Sequence, residues 1–409
     1  MEKNGKHPQT RRAYGFFLLG AISQLGDSLF LYYGIFQSTR SANGGILSAT
    51  LLGTDPCLQI LLAPCLARLV EGVRSVSERL RLSAIVRALS AGLALMPVLF
   101  VGSSGAGAAL LAAFIGLRLL ALVDSLLLVD IRLVMSRSGW VDLTRSAALA
   151  TLSVRGVHAV APLLAVALGD GAWFLVCLLN SLSYGFGLVA LISVRWPVED
   201  ATDPAQSAPG QCRRPEEARS RLGTWHAGNQ FLLNLSFGSV ALLLGHLGSP
   251  RWNTPLFQSV PPVSLVYGGM AIMLLVPLLV PGIRRRIDVC RLERGCQLAL
   301  VLGALFVASS VLAPLASLVA FAVAGACYAL CLLIGTNALL PMLDGPRLTR
   351  YLAVGQSAGR AGSVLSLASA GFLTDAGTSP FLLLAVCGGF GIISSWWLRL
   401  RLRACLARS

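Results

Sequence analysis

Charged residues are scarce in this sequence. Only 12% of its 409 residues are Asp, Glu, Lys or Arg, whereas they make up about a quarter of a soluble globular domain. Hydrophobic residues reach 55%, and apolar runs of membrane-spanning length recur along the whole chain. This composition excludes a soluble domain and indicates a protein embedded in a lipid bilayer.

Acidic residues are the scarcer charged class. The chain has 18 Asp and Glu against 33 Lys and Arg, which gives a net charge of +15. In a soluble protein this excess would indicate nucleic-acid binding, but the basic clusters here have no interleaved aromatic residues. We therefore expect the basic residues to follow membrane topology and to contact anionic lipid headgroups, with no nucleic-acid partner.

Metal, disulfide and nucleotide motifs are missing. The chain has only four histidines, and its ten cysteines form no Cys-X-X-Cys pair. Cys327 and Cys331 lie one helical turn apart without a histidine or a second cysteine pair, so we expect reduced cysteines, no metal and no other cofactor. Without a Walker sequence or a cluster of catalytic residues, neither ATP hydrolysis nor an enzyme that acts on lipid is favoured.

Twelve apolar runs are long enough to cross a bilayer as helices. A Pro-, Ser- and charge-rich stretch at 195–223 divides them into six and six. We predict an all-α polytopic membrane protein with a six-helix bundle at 1–194, a cytoplasmic linker at 195–225 and a second six-helix bundle at 226–409. The predicted spans are 14–36, 45–67, 83–101, 105–130, 146–168, 172–194, 227–248, 258–281, 296–312, 315–341, 351–373 and 379–398.

The basic residues predict the orientation of these spans. With the N-terminus in the cytoplasm, only Arg40 and Arg251 fall in outer loops, and the other loop arginines fall inside. This alternation supports the span count and places both termini in the cytoplasm. The composition, rich in Arg, Ala, Leu and Gly, suggests a GC-rich bacterium, and we expect the protein in its inner membrane.

The two halves of the chain contain a repeat. The segment LTRSAALATLSVRGVHAVAPLLAVALGDGA (143–172) aligns without a gap with LTRYLAVGQSAGRAGSVLSLASAGFLTDAG (348–377). Arg155 aligns with Arg360, and Asp170 aligns with Asp375. Parallel repeats of this kind are typical of transporters built from two similar bundles.

Twelve spans, a six-plus-six repeat, a central linker and internal termini resemble the major facilitator superfamily. The exporter branch with siderophore and macrolide exporters, such as enterobactin exporters, is most similar. SQLGDSLF (23–30) resembles the Gly-Asp of its first span, residues 173–195 resemble its sixth span with Asn180 and Ser183, and residues 348–377 resemble its eleventh. The resemblance implies two bundles that rock around a central cavity.

Two signature segments of that superfamily are only partly present. In APCLARLVEGVRSVSERLRL (63–82), Ala63 and Ala67 stand where Gly and Asp are expected, although the basic residues remain. The fourth span keeps Arg118 without the following Gln-Gly. The resemblance implies a gating role for Arg68 and Arg74 in the loop between spans two and three.

Ionisable residues inside the predicted spans are the main functional signal. A charge at the bilayer centre costs about 2.5–3.5 kcal/mol on insertion scales, so it needs a partner or a water-filled cavity. Asp27, Asp55, Arg118, Arg155 and Arg360 all lie near the middle of a span. The resemblance implies that their spans line or flank one cavity, so all five could face a common site.

Four of the ionisable residues are candidates for proton coupling. Asp27 is the first, because a carboxylate in a cavity can take up and release protons; the alternative is a structural ion pair. Asp55 precedes Pro56, so it could instead mark a helix kink. Asp124 and His158 complete the set, each with packing as the alternative.

Three arginines and one amide are candidates for substrate binding. Arginine keeps its proton and can hold a carboxylate or phosphate with two parallel hydrogen bonds. Arg118, Arg155 and Arg360 would make the cavity positive at its centre, and Asn234 adds a polar group from the seventh span. Structural pairing of the arginines is the alternative.

We therefore predict a monomeric secondary transporter that exports a small anionic or amphipathic metabolite, such as a siderophore, by antiport with protons. A multidrug efflux pump, in which the acids would recognise cationic compounds, remains an alternative. A proton-coupled importer is a second alternative, because residues alone do not encode direction.

Overall fold

The computed structural model describes residues 6–39, 43–71, 76–100, 106–137, 143–193, 216–247, 255–280, 292–343 and 348–407. Throughout these residues the chain is helical, with no strand. The first half contains α1 (Lys6–Ser38), α2 (Gly44–Glu71), α3 (Val76–Leu95, continued by a 3-10 turn at Met96–Phe100), α4 (Ala106–Arg137), α5 (Leu143–Leu168) and α6 (Trp173–Ser193). The second half contains α7 (Glu216–Phe237), α8 (Val240–Leu247), α9 (Pro255–Ser259), α10 (Pro262–Leu279), α11 (Leu292–Val311), α12 (Pro314–Leu343), α13 (Leu348–Asp375) and α14 (Pro380–Ala407).

Each predicted span coincides with one helix or with two consecutive helices, so the all-α prediction is confirmed. Long apolar runs favour helices because a helix satisfies its own backbone hydrogen bonds without water. Within the described ranges, seven helical stretches are long and apolar enough to cross a membrane. Residues 195–215 of the predicted linker lie outside the described part, and residues 216–225 begin α7. The division into two bundles stays a prediction.

The seventh span is broken between α7 and α8. Gly238 lies close to Ser363 of α13. A side chain at position 238 would collide with the backbone of Ser363. The break exposes the backbone N–H of Ser239, which donates to the hydroxyl of Ser366 on α13 at 3.1 Å. A neighbouring helix thus supplies the acceptor that the interrupted span lacks.

Helices pack both within and between the two halves. In the first half α1 packs against α5 and α6, and α3 packs against α4 and α6; in the second half α7 packs against α13 and α14, and α11 against α12 and α14. Between the halves, α2 packs against α13 and α5 packs against α10. The two interhalf pairs flank the space in which the candidate site lies.

One end of the molecule is closed by contacts between the halves. We call it the closed end; here α1 and α13 finish and α2 begins. Ile35 of α1 packs beside Gly245 of α8, and both Ile35 and Leu244 are at most 1% exposed. The Asp375 carboxylate accepts hydrogen bonds from the backbone N–H groups of Gly45 (2.7 Å) and Ile46 (2.8 Å).

Asp375 therefore caps the N-terminus of α2 from the opposite half. Loss of a capping carboxylate costs about 0.5–2 kcal/mol, and the favourable charge–dipole interaction is lost with it. We expect Asp375→Ala to weaken the closed end and to increase labelling of a cysteine introduced at Leu244 by about fivefold or more. Labelling would be followed in membranes on a background without reactive native cysteines.

The matched control is Thr50→Ala, near the same end of α2. The Thr50 hydroxyl donates to the carbonyl of Ile46 on its own helix at 2.9 Å. This variant should leave labelling at Leu244→Cys close to the level of the parent protein. Equal labelling in the Asp375 variant and the parent would show that this cap does not hold the closed end.

Candidate functional site

A central cavity of about 270 Å³ lies between the interhalf helix pairs. Residues from both halves form its wall, and six of the predicted site residues are among them: Asp55, Arg118, Arg155, His158, Asn234 and Arg360. The positions of Arg155 and Arg360 follow the sequence repeat, because the repeated helices α5 and α13 each place an arginine at the same depth. The roles assigned to these residues stay predictions.

Positive charge dominates the described part of the cavity wall. Arg118, Arg155 and Arg360 face a single carboxylate there, that of Asp55. Arg360 Nη1 lies 3.8 Å from Asp55 Oδ2, and the two side chains are 43% and 37% exposed. Exposed pairs of this length contribute about 0–1 kcal/mol, so Arg360 can exchange Asp55 for an anionic ligand at little cost.

Aromatic rings surround the arginines. The Arg155 guanidinium lies 5.8 Å from the ring centre of Tyr267, and that of Arg118 lies 5.0 Å from the ring centre of Phe114. Such cation–π contacts orient guanidinium groups without neutralising their charge. Phe237, Phe306 and Tyr328 add further rings to the wall. The cavity thus combines fixed positive charge with apolar and aromatic surface.

Asn234 and His158 are held by their neighbours. Asn234 Nδ2 donates to the carbonyl of Gln230 at 2.8 Å, and Ser363 Oγ donates to Asn234 Oδ1 at 3.1 Å. The His158 ring lies between the rings of Tyr32 (5.7 Å) and Tyr267 (5.1 Å), which belong to opposite halves. His158 therefore lies where the two halves meet, whereas Asn234 is held on the cavity wall by its own half.

Asp27 is not part of the cavity wall. Its Oδ1 accepts a hydrogen bond from the hydroxyl of Tyr184 at 2.7 Å. Arg118, which does line the cavity, donates through Nη2 to the backbone carbonyl of Asp27 at 3.2 Å. The structure thus places Asp27 behind Arg118. This differs from the expectation that Asp27 would share one cavity with Arg155 and Arg360.

Asp124 also lies away from the cavity, in an ion pair between α3 and α4. Its Oδ2 is 3.0 Å from Arg87 Nη2, with side-chain exposures of 17% and 7%, and Ser83 donates a short hydrogen bond to Oδ1. The sequence signal for a buried Arg87 is its position inside the apolar run 83–101.

Sequence reasoning missed Tyr184. An aromatic residue in an apolar helix resembles any other core residue, and only the contact with Asp27 distinguishes it. The predicted gating residues cannot be placed: Arg74 lies outside the described residues, and Arg68 lies on α2 with its side chain outside the described part. In the described part of the chain, no group of three or more His, Cys, Asp and Glu could hold a metal ion.

Solved transporters share this fold at low sequence identity. A peptide transporter of the POT type, solved with alafosfalin, has a TM-score of 0.67 at 13% identity, covering 96% of this chain and 94% of the other. The E. coli fucose:proton symporter FucP gives 0.56 at 15%, covering 95% and 98%. A bacterial homologue of the iron transporter ferroportin gives 0.58 at 15%, covering 97% and 99%.

No family model matches the chain, and no curated protein matches it. The structural likeness confirms the fold that the resemblance to the major facilitator superfamily implied, that of a multi-pass membrane protein. These three structures are all of transporters, and none is of an enzyme.

Proposed function

We propose that this protein is a proton-coupled secondary transporter that exports small aromatic or amphipathic acids across a bacterial inner membrane. The observation that carries the proposal is the position of Arg118, Arg155 and Arg360 on one cavity between two repeated halves. One guanidinium can hold the carboxylate of an aromatic acid through two hydrogen bonds, while the ring of the same molecule packs on the aromatic wall.

The size of the cavity limits the cargo. About 270 Å³ lies just below the range of roughly 300–1,000 Å³ typical of small-molecule sites. A single aromatic acid fits this volume better than an intact siderophore with several such groups. We therefore favour a compact carboxylate, and 2,3-dihydroxybenzoate is a suitable probe because it combines a carboxylate with a hydroxylated ring.

The orientation proposed from the basic loops places the closed end outside. With the N-terminus in the cytoplasm, α1 runs outward and α2 begins at the outer face. The closed end then separates the cavity from the exterior, and cargo would load from the cytoplasm. Rocking of the halves about the α2–α13 and α5–α10 contacts would then expose the cavity outside, and the proposed direction, export, rests on the resemblance to the exporter branch.

Arg118 is the proposed connection between cargo and proton. Its guanidinium lines the cavity and also holds the backbone of Asp27, whose carboxylate faces away from the cavity. Cargo that binds Arg118 therefore competes with the backbone carbonyl of Asp27 for the same guanidinium group. In this proposal, cargo release and proton uptake are linked through that shared contact.

Transport in membrane vesicles of defined orientation tests the proposal. Inverted vesicles should accumulate radiolabelled 2,3-dihydroxybenzoate when their interior is acidic, and collapse of the pH gradient should abolish accumulation. Right-side-out vesicles should accumulate none. Accumulation only in right-side-out vesicles would favour the importer, and gradient-driven uptake of a cationic dye with no uptake of the acid would favour the multidrug pump.

A further inference from the structure

A polar cluster lies inside the first half, beside the cavity but not on its wall. It contains Asp27 of α1, Tyr184 of α6, and Asp124 of α4 with its partners Arg87 and Ser83 of α3. Polar side chains inside an apolar bundle are costly, and they are retained mainly where they work together. Four different helices contribute to this cluster.

Tyr184 is the central member of the cluster. Its side chain is 5% exposed and packs with Ala94 and Leu117, while its hydroxyl donates to Asp27. Arg87, the ion-pair partner of Asp124, reaches the same helix, because its Nη1 lies beside Gly187 of α6. The Arg87–Asp124 pair therefore lies about one helical turn from Tyr184 along α6.

The surroundings of Tyr184 contain further polar atoms that the described protein groups do not fully satisfy. Asn180, one turn earlier on α6, is fully buried beside Gly26, and neither atom of its amide has a partner at hydrogen-bond geometry among the described residues. Gln24 Oε1 on α1 and Arg87 Nε on α3 are in the same situation. Buried polar atoms are nearly always paired, so such a set marks positions for bound water.

The cluster also has a direction along the molecule. Asp124 follows Arg118 by six residues on α4, which corresponds to about 9 Å along a helix. In the proposed orientation α4 runs inward, so Asp124 and Ser83 lie on the cytoplasmic side of Asp27. A path from Asp27 through Tyr184 to Asp124 would therefore lead towards the cytoplasm.

We propose that Tyr184 is a positioning residue for Asp27 and connects it to Asp124, so that protons pass through the first half beside the substrate cavity. The inference rests on the proposed function. Protonated Asp27 gives its proton to the Tyr184 oxygen while Tyr184 gives its own proton to a bound water, and this water passes one of its protons to Asp124. Tyr184 and the water are unchanged by the step, and the proton received from Asp27 leaves the hydroxyl donating to ionised Asp27, as observed.

The charged groups around both carboxylates fit this sequence of transfers. Asp27 is influenced by Arg118 on α4 and by Asp55 on α2, besides its neighbours on α6. Asp124 Oδ2 is paired with Arg87 Nη2 at 3.0 Å. Arg87 keeps its own proton, so it does not transfer protons itself.

The test compares Tyr184→Phe, which removes only the hydroxyl, with the control Tyr33→Phe. Tyr33, on α1, is also buried, but its hydroxyl bonds only backbone groups among the described residues, the carbonyl of Gly169 (3.0 Å) and the N–H of Ala172 (2.8 Å). Two quantities are measured in proteoliposomes with 2,3-dihydroxybenzoate: accumulation driven by a pH gradient, and exchange without a gradient. Tyr184→Phe should lower the accumulation at least tenfold more strongly than it lowers the exchange. Asp124→Asn should show the same difference between the two measurements, and Tyr33→Phe should not.

An infrared pH titration of the purified protein provides a readout that needs no substrate. The carbonyl stretch of protonated Asp27 is identified by its loss in Asp27→Asn. In Tyr184→Phe the band should shift, and its midpoint should move to higher pH by about one unit, a tenfold rise in proton affinity, because the ionised form loses a donor. Tyr33→Phe should leave both unchanged.

The two readouts separate this inference from the proposed function. An unchanged Asp27 band in Tyr184→Phe overturns the positioning role, even if the variant transports poorly. Unchanged pH-driven accumulation in Tyr184→Phe or in Asp124→Asn overturns the path. If the wild-type protein shows no pH-driven flux of any acid, the proposed function fails, and the infrared titration alone decides whether Tyr184 positions Asp27.

Discussion

Replacing both Arg155 and Arg360 with glutamine should lower the affinity for 2,3-dihydroxybenzoate by at least about 100-fold. Each charge-assisted hydrogen bond to a carboxylate contributes about 1.5–3 kcal/mol, and the double variant removes the two guanidinium groups that the repeat places on the cavity. Glutamine keeps a polar side chain of similar length but carries no charge. Equilibrium binding to purified protein and uptake into inverted vesicles measure the effect.

The control for this prediction is Arg401→Gln with Arg403→Gln. Both residues lie on α14; Arg401 lies 5.1 Å from the Trp397 ring centre, and Arg403 is paired with Glu293 at 3.0 Å. These two substitutions remove the same net charge at a distance from the cavity, so the affinity for 2,3-dihydroxybenzoate should change less than twofold. Wild-type affinity in the Arg155 and Arg360 variant, at unchanged thermal stability, would exclude an anion site and favour a pump for neutral or cationic compounds.

Much of the fold could be predicted from the sequence because the bilayer imposes simple rules. Each span has to be about 20 apolar residues long and helical, so run length alone located the helices. The repeat then placed Arg155 and Arg360 at equal depth, and both line the cavity. Depth along a helix can be counted directly in residues, at about 1.5 Å for each.

The rotation of each helix about its axis could not be predicted in the same way. In the middle of α1, Ser23, Gln24, Asp27 and Ser28 share one face at helical spacing, but this stripe does not show whether the face is turned to the cavity or to another helix. Asp27 was correctly placed at mid-span, but its side chain points to Tyr184 rather than to the cavity. Only the packing of α1 against α6 decides between those directions.

Close approach of helices depended on small residues whose partners are distant in sequence. A side chain at Gly26 would collide with Asn180 and Ser183 of α6, so this glycine allows α1 and α6 to approach. That contact brings Tyr184 within hydrogen-bonding distance of Asp27. A single sequence contains no signal that links residues so far apart, and the cluster was therefore found only in three dimensions.

Replacing Asp27 with asparagine should abolish proton-driven accumulation and preserve the fold. Asparagine has nearly the same shape and still offers Oδ1 to the hydroxyl of Tyr184, and the bond from Arg118 goes to the backbone carbonyl of Asp27, which the substitution leaves in place. The amide cannot take up a proton. The substitution thus removes the proposed proton carrier and retains both contacts that position it.

The size of the effect follows from the driving force. A pH difference of one unit stores about 1.4 kcal/mol per proton, enough for a tenfold gradient of an exchanged solute. In proteoliposomes with such a gradient, wild-type protein should concentrate 2,3-dihydroxybenzoate about tenfold, whereas Asp27→Asn should reach a ratio of about 1. Exchange of labelled for unlabelled probe should continue in the variant and should lose its dependence on pH.

The control Glu293→Gln neutralises a carboxylate outside the cavity, one that pairs with Arg403 at 3.0 Å. It should accumulate the probe as the wild type does. If Asp27→Asn still reached a tenfold gradient, the proton would have to bind at another residue, and Asp55 and His158 are the carboxylate and the imidazole on the described cavity wall. Asp55→Asn and His158→Gln would then decide between those two sites, and the path through Tyr184 would lose its starting point.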